Sequence, residues 1–141
     1  MSEPTLYLFS GLPGSGKTTL SRLLAQRLGA AYLRIETIEQ ALRDLGAAGD
    51  RDEGHRLAYR VAFDILNAGT SVVADACKPI EWEQAALAKA RRWVAIEVVR
   101  SGGSEHRQRA EPRPGRIVID TSGRTEGGCL HELLTRLSHT G

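Results

Sequence analysis

The sequence is short of most features that would assign it to an extreme class. Cysteine is nearly absent: Cys77 and Cys129 are far apart and form no CxxC or Cys/His spacing. That excludes a disulfide framework and argues against a structural zinc site. Two free thiols suit a reducing cytosol, so a cytoplasmic location is expected. No apolar run approaches the roughly 20 residues needed to span a bilayer, and no membrane partner is expected. Met1 to Pro4 has no basic stretch followed by a long apolar one, so no signal peptide is read there. Charge of one sign is also lacking, with 19 basic and 17 acidic side chains giving a net charge of +2. The global balance therefore says little about partners. The four histidines, His55, His106, His131 and His139, show no ligand spacing. There is no NKxD element of the kind that reads guanine, and no DxxG follows a suitable strand.

What remains is an ordinary globular chain of 141 residues, enough for one domain with its own core. Short apolar runs alternate with segments of helical period. Strands are expected at 5–10, 31–35, 71–75, 93–99 and 116–120. Helices are expected at 16–28, 37–45, 52–67, 80–91, 104–109 and 128–137. The third of these helices is expected to turn Leu57, Val61, Ile65 and Leu66 inward. Trp82 and Trp93 read as core or interface aromatics. Five strands separated by helices imply a parallel sheet covered on both faces. Ligands in such sheets bind at the carboxyl ends of the strands, so the residues just after each strand carry the functional expectation.

The first of these segments is the most informative. GLPGSGKT, from Gly11 to Thr18, fits GxxxxGK[ST] between an expected strand and an expected helix. Glycines at 11, 14 and 16 let the backbone turn its N–H groups inward, where they and the helix N-terminus complement a phosphate. The expected nucleotide contacts are Gly11, Leu12, Pro13, Gly14, Ser15, Gly16, Lys17, Thr18 and Thr19. Lys17 brings a mobile positive charge to the β- and γ-phosphates, and Thr18 offers a hydroxyl to Mg²⁺.

Other strand ends supply carboxylates. Glu36 follows the second strand, where it would accept a proton from an attacking hydroxyl or simply favour the start of a helix. Glu39, one turn on, reads as a cap or a solvent-facing residue. Asp75 ends SVVAD and is expected to contact the Mg²⁺ shell or orient an acceptor hydroxyl, the other reading being a turn before Pro79. The loop Asp120 to Gly123 follows the fifth strand, and Thr121 is expected beside the base, or else as part of an ordinary turn. Arg107 and Arg109 are candidates to neutralise charge on a transferred phosphoryl group, or belong to a solvated basic helix. The arginine-rich stretch 91–116 gives only weak support for a nucleic-acid partner.

The segments LYLFSGLPGSGKTTLSRLLAQRLGAAYLRIETIEQAL, SVVADACKP, IEVVRSGGSEHRQRAE and RIVIDTSGR together resemble the small P-loop kinases. That group contains polynucleotide kinases, zeta toxins, gluconate kinase and adenylylsulfate kinase, and AAA-family ATPase-like relatives. The resemblance implies a three-layer P-loop NTPase fold whose five-stranded sheet has order 2-3-1-4-5. It implies ATP and Mg²⁺ as cofactors and a small hydroxyl-bearing acceptor. It places Glu36 where relatives carry an aspartate that acts as general base, Asp75 at the second acidic position, and Arg107 and Arg109 at the start of the lid. The lid segment, about 104–115, is shorter than in relatives. A nucleotide-binding protein with weak ATPase activity and no acceptor, and a polynucleotide 5′-hydroxyl kinase, are the alternatives.

Overall fold

The computed structural model describes residues 3–46, 53–76, 90, 92–101 and 116–139. The elements run β1 (Leu6–Ser10), α1 (Lys17–Leu28), β2 (Ala31–Arg34), α2 (Ile35–Asp44), α3 (Glu53–Asn67), β3 (Val72–Asp75), β4 (Trp93–Val99), β5 (Arg116–Asp120) and α4 (Glu126–Ser138). The strands form one parallel sheet of order β2-β3-β1-β4-β5, as the resemblance implied. The expected helix at 104–109 lies outside the described residues, as does that at 80–91 apart from Ala90, which is not helical.

β1 is central and apolar on both sides, as a doubly covered parallel strand must be. Leu6 and Leu8 point to one face with Val72 and Ala74, and there they meet Ile35, Ala58, Tyr59 and Ala62 of α2 and α3. Phe9 points to the other face with Val73, Ile96 and Val98, and meets Leu20 and Leu24 of α1 and Leu133 of α4. These are two apolar layers on either side of one sheet.

α1 begins where Gly16 takes a left-handed conformation and ends at Gly29, whose N–H donates to the Ala25 carbonyl. α2 begins two residues earlier than expected, at Ile35, because β2 stops at Arg34. Glu36 therefore sits in the first helical turn. The expected inner face of α3 is corrected in part: Ile65 and Leu66 pack against the apolar layer as expected, and Leu57 and Val61 do not. Leu57 and Val61 are 43% and 45% exposed, and the buried residues are Gly54, Ala58, Tyr59 and Ala62. α3 approaches α2 closely. A Cβ on Gly54 would lie 2.4 Å from Glu39 Cγ of α2, so glycine takes that contact, while Leu57 and Val61 turn out. Trp93 is 39% exposed at the edge of β4 and is not a core residue. Among the described residues, no helix is long and apolar enough to cross a membrane.

Candidate phosphate cradle and its two cavities

The carboxyl ends of β1, β3 and β5 converge on the loop Gly11 to Gly16. Two backbone positions show why this loop needs glycine. A Cβ on Gly11 would lie 2.5 Å from the Val98 carbonyl oxygen, and its φ is +153°. Gly16 has φ +93°, and a Cβ there would lie 3.4 Å from the Thr121 methyl. The loop is closed by the Ser15 N–H donating to the Leu12 carbonyl at 3.2 Å.

Thr121 ties the loop after β5 to this turn. Its hydroxyl donates to the Ser15 carbonyl at 2.6 Å. The Ser15 hydroxyl itself is buried and has no hydrogen-bond partner among the described residues. A buried donor left unmade costs free energy, and a phosphate oxygen in the loop would satisfy it. Together with a helix N-terminus at Lys17, these residues fit a nucleotide phosphate.

Behind the loop lies a buried charge pair. Lys17 Nζ is 2.9 Å from Asp75 Oδ1, and both side chains are almost fully buried. The Tyr32 hydroxyl donates to the other oxygen, Asp75 Oδ2, at 3.0 Å. Burial, and then the Asp75 carboxylate beside it, raise the Tyr32 phenol above its ordinary pKa. Thr18 and Asp75 are the residues that could hold a cation bound with the phosphates. Among the described residues there is no group of three or more His, Cys, Asp or Glu side chains arranged for a metal.

A cavity opens on each side of the loop. One, of about 640 Å³, is lined by Gly14, Ser15 and Thr19 with Arg100, Thr121, Arg124 and Cys129. The other, of about 580 Å³, is lined by Pro13, Lys17 and Thr18 with Arg34, Glu36, Glu39 and Arg43. Leu12 also lines the second cavity and is 75% exposed. Gly14, Gly16 and Thr19 border both.

The two glutamates of α2 differ in setting. Glu36 is exposed and accepts from Arg34 Nη2 at 3.0 Å. Glu39, expected to cap the helix or face solvent, is half-buried and borders the second cavity. His55 Nδ1 lies 3.9 Å from Glu39 Oε2, too far for a hydrogen bond. Arg107 and Arg109 lie outside the described residues.

The sequence did not reveal the carboxylate clamp at the end of β5. Asp120 accepts from the Ser101 hydroxyl, from the Ser101 N–H at 3.4 Å and from the Ser122 N–H at 2.9 Å. The Ser101 hydroxyl is the largest cause holding the Asp120 carboxyl well below the usual carboxylate range, with the Ser122 N–H adding to it and burial opposing it. A carboxylate with a depressed pKa stabilises the fold above its unfolded pKa and loses that contribution as pH falls towards its folded value. Asp120→Asn is therefore expected to lower Tm at pH 7. The difference from the unmodified chain should shrink below about pH 4, the ordinary range for an aspartate. Thermal melts of both chains across pH 7 to 2.5 check this, and a constant difference would contradict it.

The comparisons with known proteins agree with this geometry. Residues 6–117 match the AAA domain family. The chain belongs to that family. A protein of Thermococcus onnurineus (strain NA1), provisionally assigned as an adenylate kinase, is 27% identical over 91% of the chain and 81% of its own length. The adenylyl-sulfate kinase of Synechococcus sp. (strain JA-3-3Ab) is 38% identical over 50% of the chain, and the match spans only 44% of that protein. The replication-associated recombination protein A of Haemophilus influenzae is 42% identical over 38% of the chain, which is 12% of its own length. Apart from the Thermococcus protein, the chain spans less than half the length of the curated relatives it matches.

Two solved structures share the fold. The Mycobacterium tuberculosis APS kinase CysC in complex with AMPPNP and APS superposes with a TM-score of 0.70 at 18% identity, over 98% of this chain and 99% of that one. A gluconokinase from Sinorhizobium meliloti 1021 superposes with a TM-score of 0.69 at 14% identity, over 99% and 95%. The fold is that of the small P-loop kinases.

Proposed function

We propose that this chain binds ATP on the Gly11 to Thr19 cradle and transfers its γ-phosphoryl group to a small hydroxyl-bearing acceptor. The observation that carries the reading is the pair of cavities meeting at the cradle. A protein that only held nucleotide needs one. The cavity beside Thr121 and Arg124 has the loop after β5 for a nucleoside, and the cavity beside α2 presents carboxylates where an acceptor would stand. The names of the relatives support the reading, since they include kinases acting on small molecules.

In this proposal the acceptor oxygen attacks the γ-phosphorus, the bond to the β–γ bridging oxygen breaks, and ADP leaves. Glu36 takes the proton of the attacking hydroxyl. Lys17 leaves Asp75 to meet the β- and γ-phosphate oxygens, and the Ser15 hydroxyl and loop N–H groups hold the β-phosphate. Mg²⁺, when bound, neutralises phosphate charge, with Thr18 and Asp75 as the protein groups facing it. Arg107 and Arg109 are proposed to add charge to the transferred group.

The test is transfer from γ-labelled ATP to a panel of gluconate, adenylyl sulfate, AMP and a 5′-hydroxyl oligonucleotide. Labelled product with any of them supports the kinase. Hydrolysis to phosphate alone, with none of the probes labelled, favours the ATPase without acceptor. Glu36→Gln is expected to slow turnover by roughly 10²-fold, the usual size of a general-base contribution, while the Kd for ADP stays within about twofold. An undiminished rate would remove Glu36 from the mechanism.

A further inference from the structure

Asp75 has both carboxylate oxygens engaged, and the two partners differ in kind. Oδ1 meets Lys17 Nζ, a long flexible cation rooted in the first turn of α1. Oδ2 accepts from the phenol of Tyr32. That ring is anchored in β2 and packs against the apolar layer beneath α1. The parallel register places Tyr32 beside Val73 and Arg34 beside Asp75. Tyr32 therefore reaches one pleat along the sheet, on the face shared by Val73 and Asp75. Asp75 is 2% exposed.

A buried carboxylate that loses its cation is costly unless other donors hold it. When Lys17 turns to a phosphate, Asp75 faces that loss. We infer that Tyr32 is the positioning residue that keeps Asp75 in place through this exchange, so that one oxygen, Oδ1, is presented at a fixed position towards a nucleotide-bound divalent cation and its waters. The inference rests on the proposal that the cradle holds nucleotide. Tyrosine suits the task because its ring has few rotatable bonds and donates a single hydrogen bond. The carboxylate is thereby fixed without being given a second positive charge. Without the phenol, Oδ2 is free to swing to Lys17, which retains the lysine on the carboxylate and leaves no defined oxygen for the cation's shell.

The experiment is calorimetric titration of ADP into the full chain, once with EDTA and once with saturating Mg²⁺. The readout is the ratio of the two dissociation constants. Tyr32→Phe keeps the ring and removes only the hydroxyl, so its Tm should stay within a few degrees of the unmodified chain. The ratio is expected to fall about fivefold or more. In an Asp75→Asn background, Tyr32→Phe should change the ratio by less than about twofold, because the phenol acts through the carboxylate.

A Tyr32→Phe ratio within twofold of the unmodified chain overturns the inference, as does an equal fall in both backgrounds. An unmodified chain that binds ADP equally with and without Mg²⁺ overturns it too, while leaving the nucleotide reading standing. An unmodified chain that binds no ADP under either condition removes both.

Discussion

Lys17→Ala is expected to weaken nucleotide binding severely and to destabilise the protein in the same step. The first effect follows from charge. Contacts between an ammonium and phosphate oxygens are each worth about 1.5–3 kcal/mol, so losing them should weaken ATP binding by roughly 100-fold or more. The second effect follows from burial. Lys17 and Asp75 are 5% and 2% exposed and 2.9 Å apart. Removing one member of a buried pair strands the other, at a cost of about 3 kcal/mol or more. The Tyr32 hydrogen bond offsets part of this but supplies no positive charge. The two effects separate in a double variant. Lys17→Ala with Asp75→Asn should recover much of the lost Tm, because no carboxylate is left unpaired, and should recover none of the ATP-induced thermal shift. Melts of the three variants with and without ATP and Mg²⁺ decide the matter. Equal Tm for the single and double variants would show that the pair does not hold the apo fold together. A full thermal shift in Lys17→Ala would place the nucleotide elsewhere.

The elements that were legible in the sequence are those whose burial follows from composition alone. β4 and β5 fall on the expected residues, Trp93–Val99 and Arg116–Asp120, because β-branched runs between two covering helix layers have one stable use. The turn from Gly11 to Gly16 was legible because its glycines answer to backbone geometry that other residues rarely adopt. The start of α2 was not. Arg34 precedes it with no side-chain cap, so the signal that normally marks a helix start is missing, and apolar, β-branched Ile35 reads as strand. On the inner face of α3, Ile65 and Leu66 were legible and the outward turn of Leu57 and Val61 was not. Hydrophobicity ranks Leu57 and Val61 above Ala58 and Ala62, and it does not record the close approach of α3 to α2 at Gly54. The contacts of Tyr32 and Ser101 were not legible because each reaches a carboxylate of another strand or loop. Their meaning depends on the register of β2 with β3 and on the neighbouring ends of β4 and β5, which no local pattern encodes.

Alanine at two of the cradle glycines is expected to fail in two different ways. At Gly11 the added Cβ meets backbone, the Val98 carbonyl oxygen at 2.5 Å, with the Ser15 hydroxyl at 3.1 Å. Val98 is fully buried in the core strand β4, so neither partner can move aside cheaply. Forced overpacking of a tight contact costs about 1–3 kcal/mol, and the unusual φ adds a further cost of the order of 1 kcal/mol or more. Gly11→Ala should therefore lose about 3 kcal/mol of stability, and its denaturant midpoint should fall accordingly. Gly14 also has a positive φ, +84°, but a Cβ there meets nothing within 4 Å. Its stability loss should be confined to backbone strain of about 1 kcal/mol. Gly14 borders both cavities, however, and its substituent would project beside the space a phosphate needs. Gly14→Ala is thus expected to stay folded and to lose ATP affinity by roughly tenfold or more, a penalty of about 1.4 kcal/mol. Urea unfolding and ADP titration on both variants resolve the two failures. If Gly14→Ala binds ADP as tightly as the unmodified chain, the phosphate does not lie in the loop. If Gly11→Ala unfolds at the same denaturant concentration as the unmodified chain, the cradle is not braced against β4 as the structure shows.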